Sequence, residues 1–207
     1  MFRKICLFWF LFFLVGLNNV YGLPFYESSD AGDSLDTAVS LVNGTTEIHG
    51  TAEFAGADLY VFSWSGGALE IKAYSDDPQL FLFDENGVGV WANDDEVSSL
   101  NARIYDPNLD SGIYFLGISS FDWDPYSISG LIFPNQPYDQ QFGPQNQDPL
   151  AYWDGSAFTQ DANYVITFSA PVNAPVPEPS SVLLVGLSLF LFGFLGFKSR
   201  NYLTINN

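Results

Sequence analysis

The stretch Tyr60-Val61-Phe62-Ser63-Trp64-Ser65-Gly66-Gly67-Ala68-Leu69-Glu70-Ile71-Lys72-Ala73-Tyr74 decides the fold. Tyr60, Phe62 and Trp64 alternate with Val61 and Ser63, and Leu69, Ile71 and Ala73 alternate with Glu70, Lys72 and Tyr74. A period of two places one set of side chains on one face, which is the pattern of a half-buried strand and not of a helix. Ser65-Gly66-Gly67 interrupts the pattern with turn chemistry. The period returns in Tyr114, Leu116 and Ile118 and again in Tyr164, Ile166 and Phe168. Further breaks fall at Asp77-Pro78, Asn86-Gly87, Asn93-Asp94-Asp95, Asp106-Pro107, Asp110-Ser111-Gly112 and Asp124-Pro125. Turns so spaced predict an all-β, antiparallel sandwich of about eight or nine strands.

Working outward, Ser34 to Val42 is the one helical candidate, with Ser34 as its cap. Asn135 to Pro149 is rich in Gln, Asn and Pro and reads as a long surface loop. Ala162 to Ser169 supplies a last strand and Ala170 to Pro175 an extended linker. Of 20 Phe, 11 Tyr and five Trp in the chain, 11 Phe, nine Tyr and four Trp lie between Leu23 and Ala174 and provide the apolar bulk for a core. The single cysteine, Cys6, lies in the N-terminal apolar stretch, so the body has no disulfide or thiol chemistry. Of 24 acidic residues 23 lie between Leu23 and Ala174, with only Lys72 and Arg103 to balance them. Such a surface repels nucleic acid and anionic lipid and attracts cations.

Both ends address the chain to a membrane. Residues 1–22 read as a secretory signal peptide, with Arg3 and Lys4 as the basic start, Ile5 to Leu17 as the apolar stretch and Val20-Tyr21-Gly22 as the cleavage site for signal peptidase. Val182 to Phe197 is an apolar run of 16 residues. As a helix it spans only ~24 Å, so a transmembrane helix there draws on its flanks, over 180–197. Lys198 and Arg200 follow at once and orient the preceding body outward.

Val176-Pro177-Glu178-Pro179, then a short apolar helix, then basic residues, strongly resembles the PEP-CTERM sorting signal of Gram-negative bacteria and cyanobacteria. The resemblance covers about the last 30 residues, 175–207. It implies that an exosortase-type membrane peptidase reads the tripeptide, removes the helix and passes the body to the cell surface or extracellular matrix. The two prolines around Glu178 hold the segment extended, as a peptidase groove requires.

The body has a resemblance of its own. Asp30-Ala-Gly-Asp-Ser-Leu-Asp-Thr-Ala38, Ile48-His-Gly50, Asp58-Leu-Tyr-Val-Phe62, Gln79-Leu-Phe-Leu-Phe-Asp84, Asn93-Asp-Asp95 and Ser111-Gly-Ile-Tyr-Phe115 follow the order of bacterial pre-peptidase C-terminal domains. This implies a jelly-roll-like β-sandwich over residues 23–174. Asp148-Pro-Leu-Ala-Tyr-Trp-Asp-Gly155 and the closing strand look like the stand-alone variety of that domain, extended by another hairpin.

Calcium suits a body dense in carboxylates at turns, because a hard cation takes several oxygen ligands. The resemblance implies a calcium site at Glu27, Asp30, Asp33 and Asp58, although Phe54-Ala-Gly-Ala57 stands where the family carries a further acid. Asp84-Glu-Asn-Gly87 lacks the third ligand of a calcium loop and reads as a hairpin turn. Asn93-Asp94-Asp95 also reads as a turn whose side chains cap the local backbone.

Catalytic signals are sparse: there is one histidine, His49, no body cysteine and no Gly-x-Ser-x-Gly. Paired carboxylates among Asp94, Asp95, Asp122 and Asp124 leave a small glycan hydrolase as the alternative. Trp123, Tyr152 and Trp153 are the aromatics expected to stack on sugar rings. The expectation is a non-catalytic module of the cell surface or matrix, calcium-stabilised and associated with extracellular polysaccharide.

Overall fold

The computed structural model describes residues 22–156 and 162–175. The signal sequence up to Tyr21, Val176 to Pro179, the helix expected over 180–197, and Lys198 and Arg200 lie outside the described residues. Within them there is no helix, and so none long and apolar enough to cross a membrane.

Thirteen strands are described: β1 (Leu23–Tyr26), β2 (Val39–Ser40), β3 (Thr45–Ala52), β4 (Ala57–Trp64), β5 (Gly67–Tyr74), β6 (Pro78–Asp84), β7 (Gly89–Asn93), β8 (Ala102–Leu109), β9 (Gly112–Ser120), β10 (Trp123–Ser127), β11 (Gly130–Leu131), β12 (Tyr152–Gly155) and β13 (Ala162–Val172). They exceed the expected count because short strands edge and cover the main sheets. One five-stranded sheet has the order β1-β3-β13-β5-β8, the other β2-β4-β9-β6-β7, and β11-β10-β12 form a third, small sheet.

Setting the short strands aside, eight remain, and they pair from the outside in. The first pairs with the last (β3 with β13), and then β4 pairs with β9, β5 with β8, and β6 with β7. A ribbon of paired strands rolled on itself in this way is a jelly roll. Chain neighbours β4 and β5 therefore lie in opposite sheets. Gly66 and Gly67 make that crossing at φ of 93° and 107°, a region that disfavours any residue with a Cβ.

The alternation in the sequence maps directly onto the space between the sheets. Tyr60, Phe62, Trp64, Leu69, Ile71, Ala73, Tyr114, Leu116, Ile118, Tyr164, Ile166 and Phe168 are all buried in one cluster there. Each such side chain stabilises the fold by roughly 1.5–3 kcal/mol of apolar burial. A second cluster, with Leu59, Phe81, Phe83, Ile132, Phe133 and Trp153, lies on the opposite face of the β4-β9-β6 sheet. Leu80 to Phe83 are accordingly buried without alternation.

The structure corrects three expectations and refines a fourth, the surface loop at 135–149. Ser34 to Val42 is not helical: Ser34 and Thr37 close one turn, with the Thr37 amide donating to the Ser34 carbonyl at 3.0 Å. Val39 and Ser40 then pair with Tyr60 and Val61 as strand β2. The sandwich is not purely antiparallel, because β1 on β3 and β2 on β4 are parallel. This single N-terminal segment lays an edge strand on each sheet, parallel to its neighbour both times. The 135–149 segment is irregular, but it is tied down: Phe142 exchanges backbone hydrogen bonds of 2.8 Å with Ala92, and Gln141 bonds the backbone of Tyr105. The last strand also continues past Ser169 to Val172, and Asn173 bridges to Ser63.

Candidate functional site

The residues expected to hold calcium gather in part. Asp58 is the second residue of β4, and its neighbours Ala57 and Leu59 belong to the outer cluster, so its side chain turns toward the space between the sheets. It is 1 % exposed. Glu27 follows β1, and its amide donates to the His49 carbonyl at 2.9 Å, continuing the parallel pairing on β3. Asp30 lies three residues on. Glu27, Asp30 and Asp58 each bring a carboxylate oxygen within 4.8 Å of the others.

Hydroxyl groups support this trio from beneath. Tyr164, on β13 of the opposite sheet, donates its hydroxyl proton to Asp58 Oδ2 at 2.5 Å. With that proton committed, Tyr60 donates to the Tyr164 oxygen at 2.6 Å. Glu27 Oε2 accepts the Thr51 amide at 2.8 Å, and the Ala31 amide also faces this carboxylate. Gly50 is required here, since a Cβ on it would come within 2.2 Å of the Tyr164 hydroxyl and 2.7 Å of Glu27 Oε2.

Burial dominates the electrostatics. It pushes the Asp58 carboxyl up to about 7, with the Tyr164 hydroxyl opposing and Glu27, Asp30 and Glu53 adding to the rise. Glu27 is raised by burial as well, against the Thr51 and Ala31 amides. Tyr60 and Tyr164 are driven well above the ordinary phenol range, first by burial, and so stay protonated as donors. Three oxygens of like charge at this separation match the ligand set of a hard cation, whose oxygen ligands lie at about 2.3–2.6 Å.

Asp33 stands apart from this group. It is exposed, and its contribution is a backbone carbonyl that accepts the Trp153 indole N–H at 2.7 Å. Phe54 to Ala57 adds no carboxylate, and the turn there places Ala55 at φ 53°. Tyr60, Tyr164 and Gly50 were not foreseen as site residues. The strand alternation marks the two tyrosines only as core.

The other candidates lie in several places, although Asp94 and Asp124 line one pocket together. His49 stacks on Tyr26 with ring centroids 4.7 Å apart and lies 3.0 Å from Glu47. Asp122 sits at φ 60°, and its carbonyl accepts the Ser156 amide at 2.8 Å. Asp124 is buried, accepts from Gln79 at 3.3 Å and from Asn135 at 3.0 Å, and is pushed by burial up to about 6. Asp94 and Asp95 form a separate group with Asp77.

Among the aromatics, Trp153 is only 8 % exposed and packs edge-on against Phe81. Trp123 is half-buried against the same outer cluster. Tyr152 is exposed and stacks on Tyr126, with centroids 5.3 Å apart and planes 17° apart.

Residues 175–200 match the family model described as the PEP-CTERM protein-sorting motif. The chain thus carries that sorting motif next to an all-β, sandwich-like body. No curated protein matches the chain.

Proposed function

We propose that this is an exported protein of the bacterial cell surface or extracellular matrix, delivered by its PEP-CTERM tail. Its body acts there as a non-catalytic binding or structural module. The sorting motif at residues 175–200 carries this reading, because an exosortase-type peptidase is the partner such a motif implies. Lys198 and Arg200 hold the tail's end on the cytoplasmic side until cleavage at the Val176 to Pro179 segment.

The outside-in strand pairing is consistent with a body similar to the pre-peptidase C-terminal domain. The convergence of Glu27, Asp30 and Asp58 supports calcium at the edge where the N-terminal segment joins the sandwich. The exposed Tyr152, stacked on half-buried Tyr126, is the surface best suited to meet a polysaccharide. Asp122 and Asp124 serve the turn before β10 in this reading, and not the hydrolase alternative, because both oxygens of Asp124 already accept side-chain amides.

The test is mass spectrometry of the protein from fractionated native cells. A mature C-terminus near Glu178 in the surface or matrix fraction is the expected result. A mature protein that still ends at Asn207 would refute the sorting assignment.

A further inference from the structure

Asp77 leads into β6, and Asp94 and Asp95 follow β7. Strand register brings these points together: Leu80 lies opposite Asn93, and Pro78 lies opposite Ser120 at the end of β9. Asp77, Asp94 and Asp95 each place a carboxylate oxygen within 4.8 Å of the others. That upper limit is about twice a calcium–oxygen distance, so the three oxygens can share one ion.

The decisive feature is Asp94. It is 9 % exposed, and both its carboxylate oxygens are buried with no hydrogen bond from any described residue. Asp77 Oδ1, Asp95 Oδ1 and Ser120 Oγ are buried and unpartnered in the same sense. A buried carboxylate lacking donors is strongly unfavourable as an anion, and it must either hold a proton or be met by a cation.

The body's two basic side chains are engaged elsewhere. Lys72 pairs with Glu96 at 3.1 Å, and Arg103 pairs with Glu70 at 2.6 Å while lying over the Tyr105 ring. The backbone at the cluster is firmly held. Asn93 Nδ2 donates to the Asp95 carbonyl at 2.9 Å, and Asn93 Oδ1 accepts the Arg103 amide at 2.6 Å. The Asp95 amide donates to the Tyr138 carbonyl, and the Phe121 amide to the Asp77 carbonyl, both at 3.0 Å. These contacts are made by backbone or by the Asn93 side chain, and not by the three carboxylates.

We propose that Asp77, Asp94 and Asp95 bind a calcium ion at the end of the sandwich where β6, β7 and β9 meet. All-oxygen donors without His or Cys select a hard cation, and a set of three side-chain carboxylates suits calcium's flexible shell of six to eight oxygens better than magnesium, which is strictly octahedral and keeps most of its waters. The ion ties the turn before β6 to the turn after β7, closing the hairpin's open end.

The experiment is calorimetric titration of the full-length chain in detergent with calcium alone, after chelator treatment and dialysis. Asp94→Asn is expected to lose one calcium-binding event that Asp30→Asn retains. Asn keeps the shape of Asp, and circular dichroism checks that strand content is unchanged; Asp95→Asn, on a less buried side chain, is the second variant if the first does not fold. Unchanged stoichiometry and affinity in these variants would overturn the proposal, as would a wild-type chain that binds no calcium. Calcium lost in Asp30→Asn but kept in Asp94→Asn would also overturn it, while leaving the Glu27, Asp30 and Asp58 reading intact.

Discussion

Two acidic groups sit at the same end of the sandwich and differ in how their buried carboxylate is met. Asp58 pairs with Ile118, and Gln79 pairs with Ser119, so the start of β4 and the start of β6 flank the end of β9. Asp58 receives a hydroxyl from Tyr164, itself backed by Tyr60. Asp94 receives nothing from the described residues. The difference teaches that burial alone does not define an ion site. A carboxylate with a committed donor is a satisfied polar network that tolerates an ion, whereas one without donors needs a proton or a cation.

The comparison can be broken by experiment. The largest expected effect is metal removal. At calcium about 100-fold above its dissociation constant, binding stabilises by ~2.7 kcal/mol per site. Chelation should therefore lower the melting midpoint by roughly 5–10 °C per site. An unchanged midpoint in calorimetry would remove calcium from both groups.

Next, Tyr164→Phe should destabilise the protein by about 1–3 kcal/mol in denaturant melts, because it turns Asp58 into a second unpartnered carboxylate. Gly50→Ala should act on the same network, by about 1–3 kcal/mol, through collision with the Tyr164 hydroxyl and Glu27. A neutral Tyr164→Phe would mean that the hydroxyl chain is not what distinguishes the two groups. Asp94→Asn goes the other way: in chelator it should raise stability by on the order of 1 kcal/mol, since it removes a buried charge with no partner.

Acidity sharpens the contrast further. Burial raises the carboxyls of Asp58 to about 7 and Asp94 to about 8. For an acid raised in the folded state, the unfolded chain loses its proton first. In chelator, stability should thus be highest near pH 4 and fall as pH rises through 7 to 8, then level off. Calcium should flatten that slope, and Asp94→Asn should remove its upper part. The smallest effect belongs to exposed Tyr152: Tyr152→Ala should change stability by no more than about 0.5 kcal/mol, and its readout is retention on host polysaccharide.

Strand alternation was the legible part of the fold, because a period of two reports directly on a face that is buried. Tyr60, Phe62, Ile71 and Leu116 were readable for that reason, and all four lie in the core. Less legible was the second buried face. Its signal was the uninterrupted apolar run from Leu80 to Phe83, which a strand shows when both its sides are covered. That face explains why Trp153, expected from the sequence to stack on sugar rings, turns inward from the third sheet and packs on Phe81.

At the site, Glu27, Asp30 and Asp58 were legible only through resemblance, and Asp33 did not join them. The turn reading of Asn93-Asp94-Asp95 was locally sound, since the Asn93 side chain does bond the Asp95 carbonyl. It missed Asp77 because proximity across a hairpin depends on register, and it missed the burial of Asp94 because the covering chain comes from elsewhere in the sequence.

The most direct measurement is a long-wavelength anomalous difference map from crystals of the mature protein grown in calcium. The expected result is a peak among the carboxylates of Asp77, Asp94 and Asp95. No peak there, with Asp94 instead accepting hydrogen bonds from protein donors, would contradict the account.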